Sequence, residues 1–169
     1  MCSSDLMDIE VRRIPLGTDL LADVPAMAAA CDDNTMLMAG SAPNFPYGLI
    51  GDIPSLGALA EERALWLHVD ACVGGYIAPF VRMNGADIPP FDFSVEGVCS
   101  MSADLHKYGY CAKGASTVLF RSEALHQHMI FDCDDWPGGR MITPTLAGTR
   151  PGGAISAAWA VMNYLGIEG

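Results

Sequence analysis

Positive charge is scarce in this chain: 169 residues carry only 9 Lys plus Arg against 20 Asp plus Glu, a formal net charge of -11. Counterion release on nucleic acid or on an anionic membrane needs a basic surface, so this balance argues against nonspecific binding to either. A local phosphate pocket built from backbone amides remains open. No run approaches the roughly 18 consecutive apolar residues of a membrane-spanning helix. No basic stretch followed by an apolar one opens the chain, as a secretory signal would. The six cysteines (Cys2, Cys31, Cys72, Cys99, Cys111 and Cys133) include no C-x-x-C pair. Disulfide frameworks belong to shorter, secreted, loop-rich chains, so reduced thiols in a cytoplasmic protein are the expectation. A charged fraction of 17% argues against disorder, and a hydrophobic content of 51% is enough for a sizeable core.

The order of patterns along the chain points to an α/β protein. "IEVRRIP" (9–15) alternates enough for a short strand, and "LADVPAMAAACDD" supplies a helix ended by Asp32 and Asp33. "TMLMAG" (35–40) is a continuous apolar run closed by glycine, as expected of a strand buried on both faces. "IPSLGALAEERA" (53–64) has helical spacing, "LWLHVD" (65–70) reads as another buried strand, and "GVCSMSA" and "STVLF" as two more. Strands alternating with helices mean βαβ units and a mostly parallel sheet, whose ligands bind beyond the carboxyl ends of the strands. "WPGGRMITPTLAGTRPGG" (136–153) reads as a structured loop before a last helix. The opening "MCSSDL" looks foreign to the rest of the chain and resembles translated sequencing-adapter sequence, so residues 1–6 are expected to be a non-native leader. Residues 7–169 are then part of one domain, and the last helix pattern stops without a tail. Both ends suggest a piece of a longer protein.

Two of the few cations fall in one short stretch, "SADLHKYGYCAKGAS" (102–116), where Lys107 follows His106 and Lys113 stands among small residues. A lysine that forms an imine must be neutral when it attacks, and its ordinary pKa is about 10.4. Partial burial and nearby cations, here His106 and Lys113, would lower it. A solvated loop lysine is the alternative. Upstream, "HVDACVGGY" ends a hydrophobic strand on Asp70, followed by Ala71, Cys72, Gly74 and Gly75. A carboxylate there needs a partner, and a helix N-cap is the plainer reading. Taken together, a strand-end aspartate and a downstream lysine suit pyridoxal phosphate. The carboxylate would keep the pyridine nitrogen protonated and the lysine would hold the aldehyde as an imine.

"GSAPNFPYG", "HVDACVGGY", "SADLHKYGYCAKGAS" and "AGTRPGGAISAAWAVMNYLG" resemble, in this order, the fold-type I pyridoxal phosphate enzymes of the group II decarboxylase superfamily. They are most similar to its sphingosine-1-phosphate lyase branch. The resemblance covers nearly everything after the first few residues and implies a three-layer α/β large domain with a mostly parallel sheet. It implies that Lys107 carries the imine and Asp70 partners the pyridine nitrogen. Cys72 would pack beneath the cofactor ring, His106 lie near its phosphate, and Lys113 move a proton or contact a substrate phosphate. Gly148 and Thr149 would reach the phosphate of a neighbouring subunit, which implies a homodimer with shared active sites. The branch usually shows proline before the second lysine and serine after its glycine; here Ala112 and Ala115 stand in, and Cys111 replaces another small residue. These departures bear on the substrate more than on the cofactor.

The activity implied is retro-aldol cleavage of a phosphorylated β-hydroxy amine. Amino-acid decarboxylation is the alternative, and a truncated, non-catalytic piece is a third reading. The resemblance places a glycine-rich phosphate segment and a ring-stacking histidine upstream, and a small domain downstream, so this stretch alone is expected to be inactive. Ser41, just past a strand, would touch the cofactor hydroxyl or merely cap a turn. His126 and His128, on a helix expected after Phe120, point to different faces and read as solvated surface rather than a metal site. Asp132, Asp134 and Asp135 lack calcium-loop spacing. Arg150 suits an interface ion pair or an ordinary loop, and the ten methionines are mostly core filler.

Overall fold

The computed structural model describes residues 7–168; the expected leader, residues 1–6, lies outside them. Four strands, β1 (Leu37–Ser41), β2 (Trp66–Asp70), β3 (Val98–Ala103) and β4 (Thr117–Phe120), form one sheet in the order β1-β2-β3-β4. The β1–β2 and β2–β3 pairs are parallel and β3–β4 is antiparallel. Helix α1 (Val24–Ala30) precedes β1, α2 (Ile53–Arg63) connects β1 to β2, and α3 (Ala78–Met83) lies between β2 and β3. After β4 come a single turn α4 (Glu123–His126) and a 3-10 turn, then a hairpin of β5 (Phe131–Cys133) and β6 (Met141–Thr143), and finally α5 (Gly152–Leu165). This is the α/β arrangement with a mostly parallel sheet that the pattern of the chain predicts.

Helix α2 covers one face of the sheet because its apolar residues recur at helical spacing. Asp52 caps it by accepting from Ser55 N, Pro54 occupies the first turn, and Ile53, Leu56, Leu59 and Ala60 are buried. Gly40 on β1 permits this contact, since a Cβ there would stand 2.7 Å from Ile53 Cδ1 and 2.9 Å from Leu56 Cδ1. Ile53, Leu56, Leu67, Val69 and Val98 are fully enclosed. Each such side chain contributes about 1.5–3 kcal/mol relative to exposure.

Several local expectations change. Residues 9–15 form no strand, because no neighbouring strand pairs with them; Arg12 instead bonds Glu10, Asp32 and the Ala30 carbonyl. Helix α1 stops at Cys31, one residue before Asp32 and Asp33, and Asp32 turns its carboxylate to Arg12 and to Asn34 N. Within the described residues β1 is an edge strand whose burial alternates, so Leu37 remains 49% exposed while Met38 is buried. The loop at 136–153 contains a short strand, β6, which forms by antiparallel pairing with β5 and shows no alternation in the sequence. The helix expected after Phe120 is one turn long, with His128 already in the 3-10 turn. No helix among the described residues is long and apolar enough to cross a membrane.

Candidate cofactor site at the ends of β1, β2 and β3

Asp70 is the last residue of β2, paired in register with Ser41 on β1 and Ser102 on β3. It is not a helix cap: α3 starts eight residues later and has no side-chain cap. Its Oδ1 accepts from Cys72 N at 3.1 Å and from Ser102 Oγ at 3.0 Å. Burial pushes the carboxyl pKa up, but the bonds from Cys72 and Ser102 outweigh it, and the group is held below the usual carboxylate range. Asp70 is therefore an anion at neutral pH. Beside it, Ser100 Oγ accepts from Trp66 Nε1 at 2.8 Å and lies 2.8 Å from His68 Nδ1. Burial pushes the half-buried His68 imidazole down toward its neutral form.

The loop after Asp70 turns tightly because its residues are small. A Cβ on Gly74 would overlap the Ala42 carbonyl oxygen and stand 2.8 Å from Pro43 Cδ. This close approach packs the loop against the chain leaving β1 and brings Cys72 over the strand ends. Cys72 Sγ lies 2.7 Å from Lys107 Nζ, while Cys72 N bonds Asp70. One residue thus touches both the strand-end carboxylate and the lysine. Burial pushes the Cys72 thiol up, so it is protonated at neutral pH.

Lys107 follows β3 in a turn that is tied back by Asp104 N donating to Cys72 O at 3.2 Å and Lys107 N donating to Asp104 O at 3.2 Å. Its side chain is 33% exposed and its Nζ is 3.0 Å from Asp104 Oδ2. The contact with Cys72 and the pairing with Asp104 together raise the Lys107 pKa above its ordinary value. This corrects the expected lowering by burial and neighbouring cations. The contact with Cys72 weighs most, and the charged neighbour is an anion, Asp104, three residues upstream and overlooked within the same motif. His106 faces that anion as well, with Nε2 3.7 Å from Asp104 Oδ2. His106 Nδ1 stands 3.2 Å from Ala115 O.

The other expected site residues are spread out. Ser41 is half-buried at the end of β1, beside Asp70 in register. Lys113 is exposed on the β3–β4 turn and joins no ion pair among the described residues. Gly148 and Thr149 lie in an exposed loop before α5, with Gly148 at φ 66°, and no hydrogen bond among the described residues links them to Asp70, Cys72 or Lys107. Arg150 lines a cavity of about 420 Å³ with Ser116, Thr117, Trp159 and Asn163. Asp132 pairs with Arg140 across the β5–β6 hairpin, with Nε 2.8 Å from Oδ1. The His126 ring packs 5.2 Å from Phe120. Ser102, Asp104 and Ser116 were missed; their signal was a run of small polar residues around the two strand ends.

A family model described as the pyridoxal-dependent decarboxylase conserved domain matches residues 4–136. The chain belongs to this family. It is 47% identical, over 99% of its length and 31% of the relative's, to a sphingosine-1-phosphate lyase of Oryza sativa subsp. japonica. It is 35% identical, over 99% of its length and 44% of the relative's, to a probable L-aspartate decarboxylase of Pyrococcus abyssi. A solved sphingosine-1-phosphate lyase of Burkholderia pseudomallei superposes with a TM-score of 0.93 at 42% identity, covering 97% of this chain and 38% of that one. The chain therefore spans about a third of the length of the lyases it matches. The donor set fits the family's cofactor: an anionic carboxylate at the strand end, an accessible primary amine, and a small residue, Cys72, between them.

Proposed function

We propose that in the whole protein this segment holds pyridoxal phosphate and takes part in cleaving a carbon–carbon bond of a phosphorylated β-hydroxy amine. The observation that carries the reading is the convergence of Asp70 and Lys107 on Cys72 at the carboxyl ends of parallel strands. When bound, the cofactor supplies an electron sink for the charge left as the bond breaks. Asp70 supplies a fixed negative charge for a protonated ring nitrogen, oriented by Ser102 and the Cys72 amide. Lys107 supplies the amine, and must shed a proton from Nζ before it can act as a nucleophile. Cys72, protonated and partly buried, offers a neutral surface beside both groups.

Around this centre, His106 and the Gly148–Thr149 loop are assigned to the phosphate, the latter from a second subunit of a homodimer, and Ser41 to the ring hydroxyl. Lys113 is assigned to a proton or phosphate at the substrate; its exposure leaves it free to meet a group brought to the turn. The lyase assignment draws on the 47% and 42% identities to proteins named for that activity.

The test is a product assay on the full-length protein. With a phosphorylated long-chain β-hydroxy amine, an aldehyde and a phosphorylated ethanolamine are expected. Carbon dioxide released from an amino acid, with no aldehyde from the phospho-amine, would instead establish a decarboxylase. Borohydride reduction should fix the cofactor's mass to the peptide containing Lys107; wild-type protein that binds the cofactor without this adduct overturns the site assignment.

A further inference from the structure

Asp104 has no part in the chemistry proposed for Asp70, Cys72 and Lys107, yet it is the most connected side chain beside them. It lies one residue beyond β3 and is only 15% exposed. Its backbone amide bonds Cys72 O and its carbonyl accepts from Lys107 N, so its main chain joins the two loops. One carboxylate oxygen, Oδ1, accepts from the Ser116 hydroxyl at the entry to β4. The other, Oδ2, faces Lys107 Nζ at 3.0 Å and His106 Nε2 at 3.7 Å. A neutral donor from the next strand thus fixes the carboxylate plane, leaving one oxygen aimed at the lysine.

An ion pair with a lysine this exposed adds little to stability, because solvent screens it. Such a pair serves better to hold a flexible side chain, since a lysine left free samples many rotamers about its four rotatable bonds. We infer that Asp104 is a positioning residue for Lys107: its carboxylate keeps the free ε-ammonium at the strand ends, where the amine is needed for bond formation. The inference rests on the proposed role of Lys107. The charged and titratable groups around the pair are few. Cys72 comes from the β2 loop, His106 from the same turn, and Asp70 reaches the pair only through Cys72. At Asp104, burial pushes the pKa up, but the Ser116 hydroxyl and the Lys107 ammonium outweigh it, so the carboxylate is ionised across the neutral range. Removing the charge should let Lys107 lose its proton more readily while leaving the amine less well placed.

The experiment is cofactor capture by full-length protein stripped of pyridoxal phosphate, followed by visible absorbance as a function of pH. In Asp104→Asn, which keeps the shape and can still accept from Ser116, the rising limb of the rate profile should move down by about one pH unit. Its plateau rate should fall about tenfold, because the amine is no longer held in place. Asp104→Glu should restore the wild-type limb, and Ser116→Ala should lower the plateau alone, since the carboxylate keeps its charge but loses its orientation. An Asp104→Asn profile that coincides with wild type, or an Asp104→Glu limb displaced as far as that of Asp104→Asn, overturns the inference. Failure of wild-type protein to form a borohydride-stable Lys107 adduct would instead overturn the assignment of Lys107, so the two failures are distinguishable.

Discussion

The segment from β1 to β4 and the segment after β4 belong to one chain but are held together differently. In the first, α2 buries five residues in eleven against the sheet, and the site residues stand at the ends of strands whose inner residues Leu67, Val69 and Val98 are enclosed. In the second, fourteen-residue α5 buries only Ala158, while Trp159 is 71% and Tyr164 90% exposed. Its small cluster with Leu105, Cys111 and Ala115 touches the lysine turn from outside. A side chain can be aimed only from a backbone that is itself fixed, so Asp70 and Lys107 both reach Cys72 within this chain, whereas Gly148 and Thr149 lie open on a loop.

That contrast can be broken at several points. The largest effect is expected at the lysines. Lys107→Ala should abolish covalent attachment of the cofactor in the full-length protein, read as loss of the borohydride-fixed mass, whereas Lys113→Ala should retain it. Equal loss in both would mean that the exposed turn is as integral to the site as the strand end. Next come the cores. Leu67→Ala, at a fully enclosed β2 position, should cost about 2–5 kcal/mol in denaturant unfolding. Trp159→Ala should change the stability of this chain far less, although it removes a larger side chain. In the loop, Gly74→Ala must push against the Ala42 carbonyl and should cost about 1–3 kcal/mol. Gly152→Ala, at the start of α5 with open space around it, should be neutral or mildly stabilising.

The smallest effect is in pH. His68 is depressed by burial, so its contribution is complete above the ordinary histidine pKa of about 6.5 and is lost as pH falls through its lower folded value. Asp70 and Asp104 are also depressed, and their contributions are lost only below the ordinary carboxylate range. Stability should therefore fall in two stages on acidification, first with His68 and then with the carboxylates. His68→Gln should remove the first stage, as followed by the urea midpoint between pH 7 and pH 5. Arg140→Ala, which breaks the exposed pair with Asp132, should leave both stages unchanged.

Much of the site was legible because its chemistry depends on residue type at strand ends. Asp70 stood out as a carboxylate closing an apolar run, and Lys107 as one of few cations in a turn of small residues. The α2 and β2 patterns were equally plain, since Leu67 and Val69 alternate with Trp66, His68 and Asp70 as one buried face requires. Less legible were elements whose identity depends on what lies beside them. Among the described residues "IEVRRIP" alternates but finds no strand to pair with, and "TMLMAG" holds a continuous apolar run yet forms an edge strand. A strand's backbone bonds come from its neighbours, so pattern alone cannot establish that it forms.

The sequence by itself determined the alternating α/β order, the apolar faces of α2 and β2, and the pair of groups, Asp70 and Lys107, suited to a pyridoxal cofactor. These follow from local periodicity and from the chemistry of single side chains. Only the tertiary structure decided that Cys72 bridges the two, that β4 runs antiparallel, and that the lysine answers to Cys72 and Asp104 rather than to His106 and Lys113. The physical reason is geometric: nearness in sequence does not set which groups lie within a few ångströms, and it is at that range that a carboxylate and a thiol act on an ammonium.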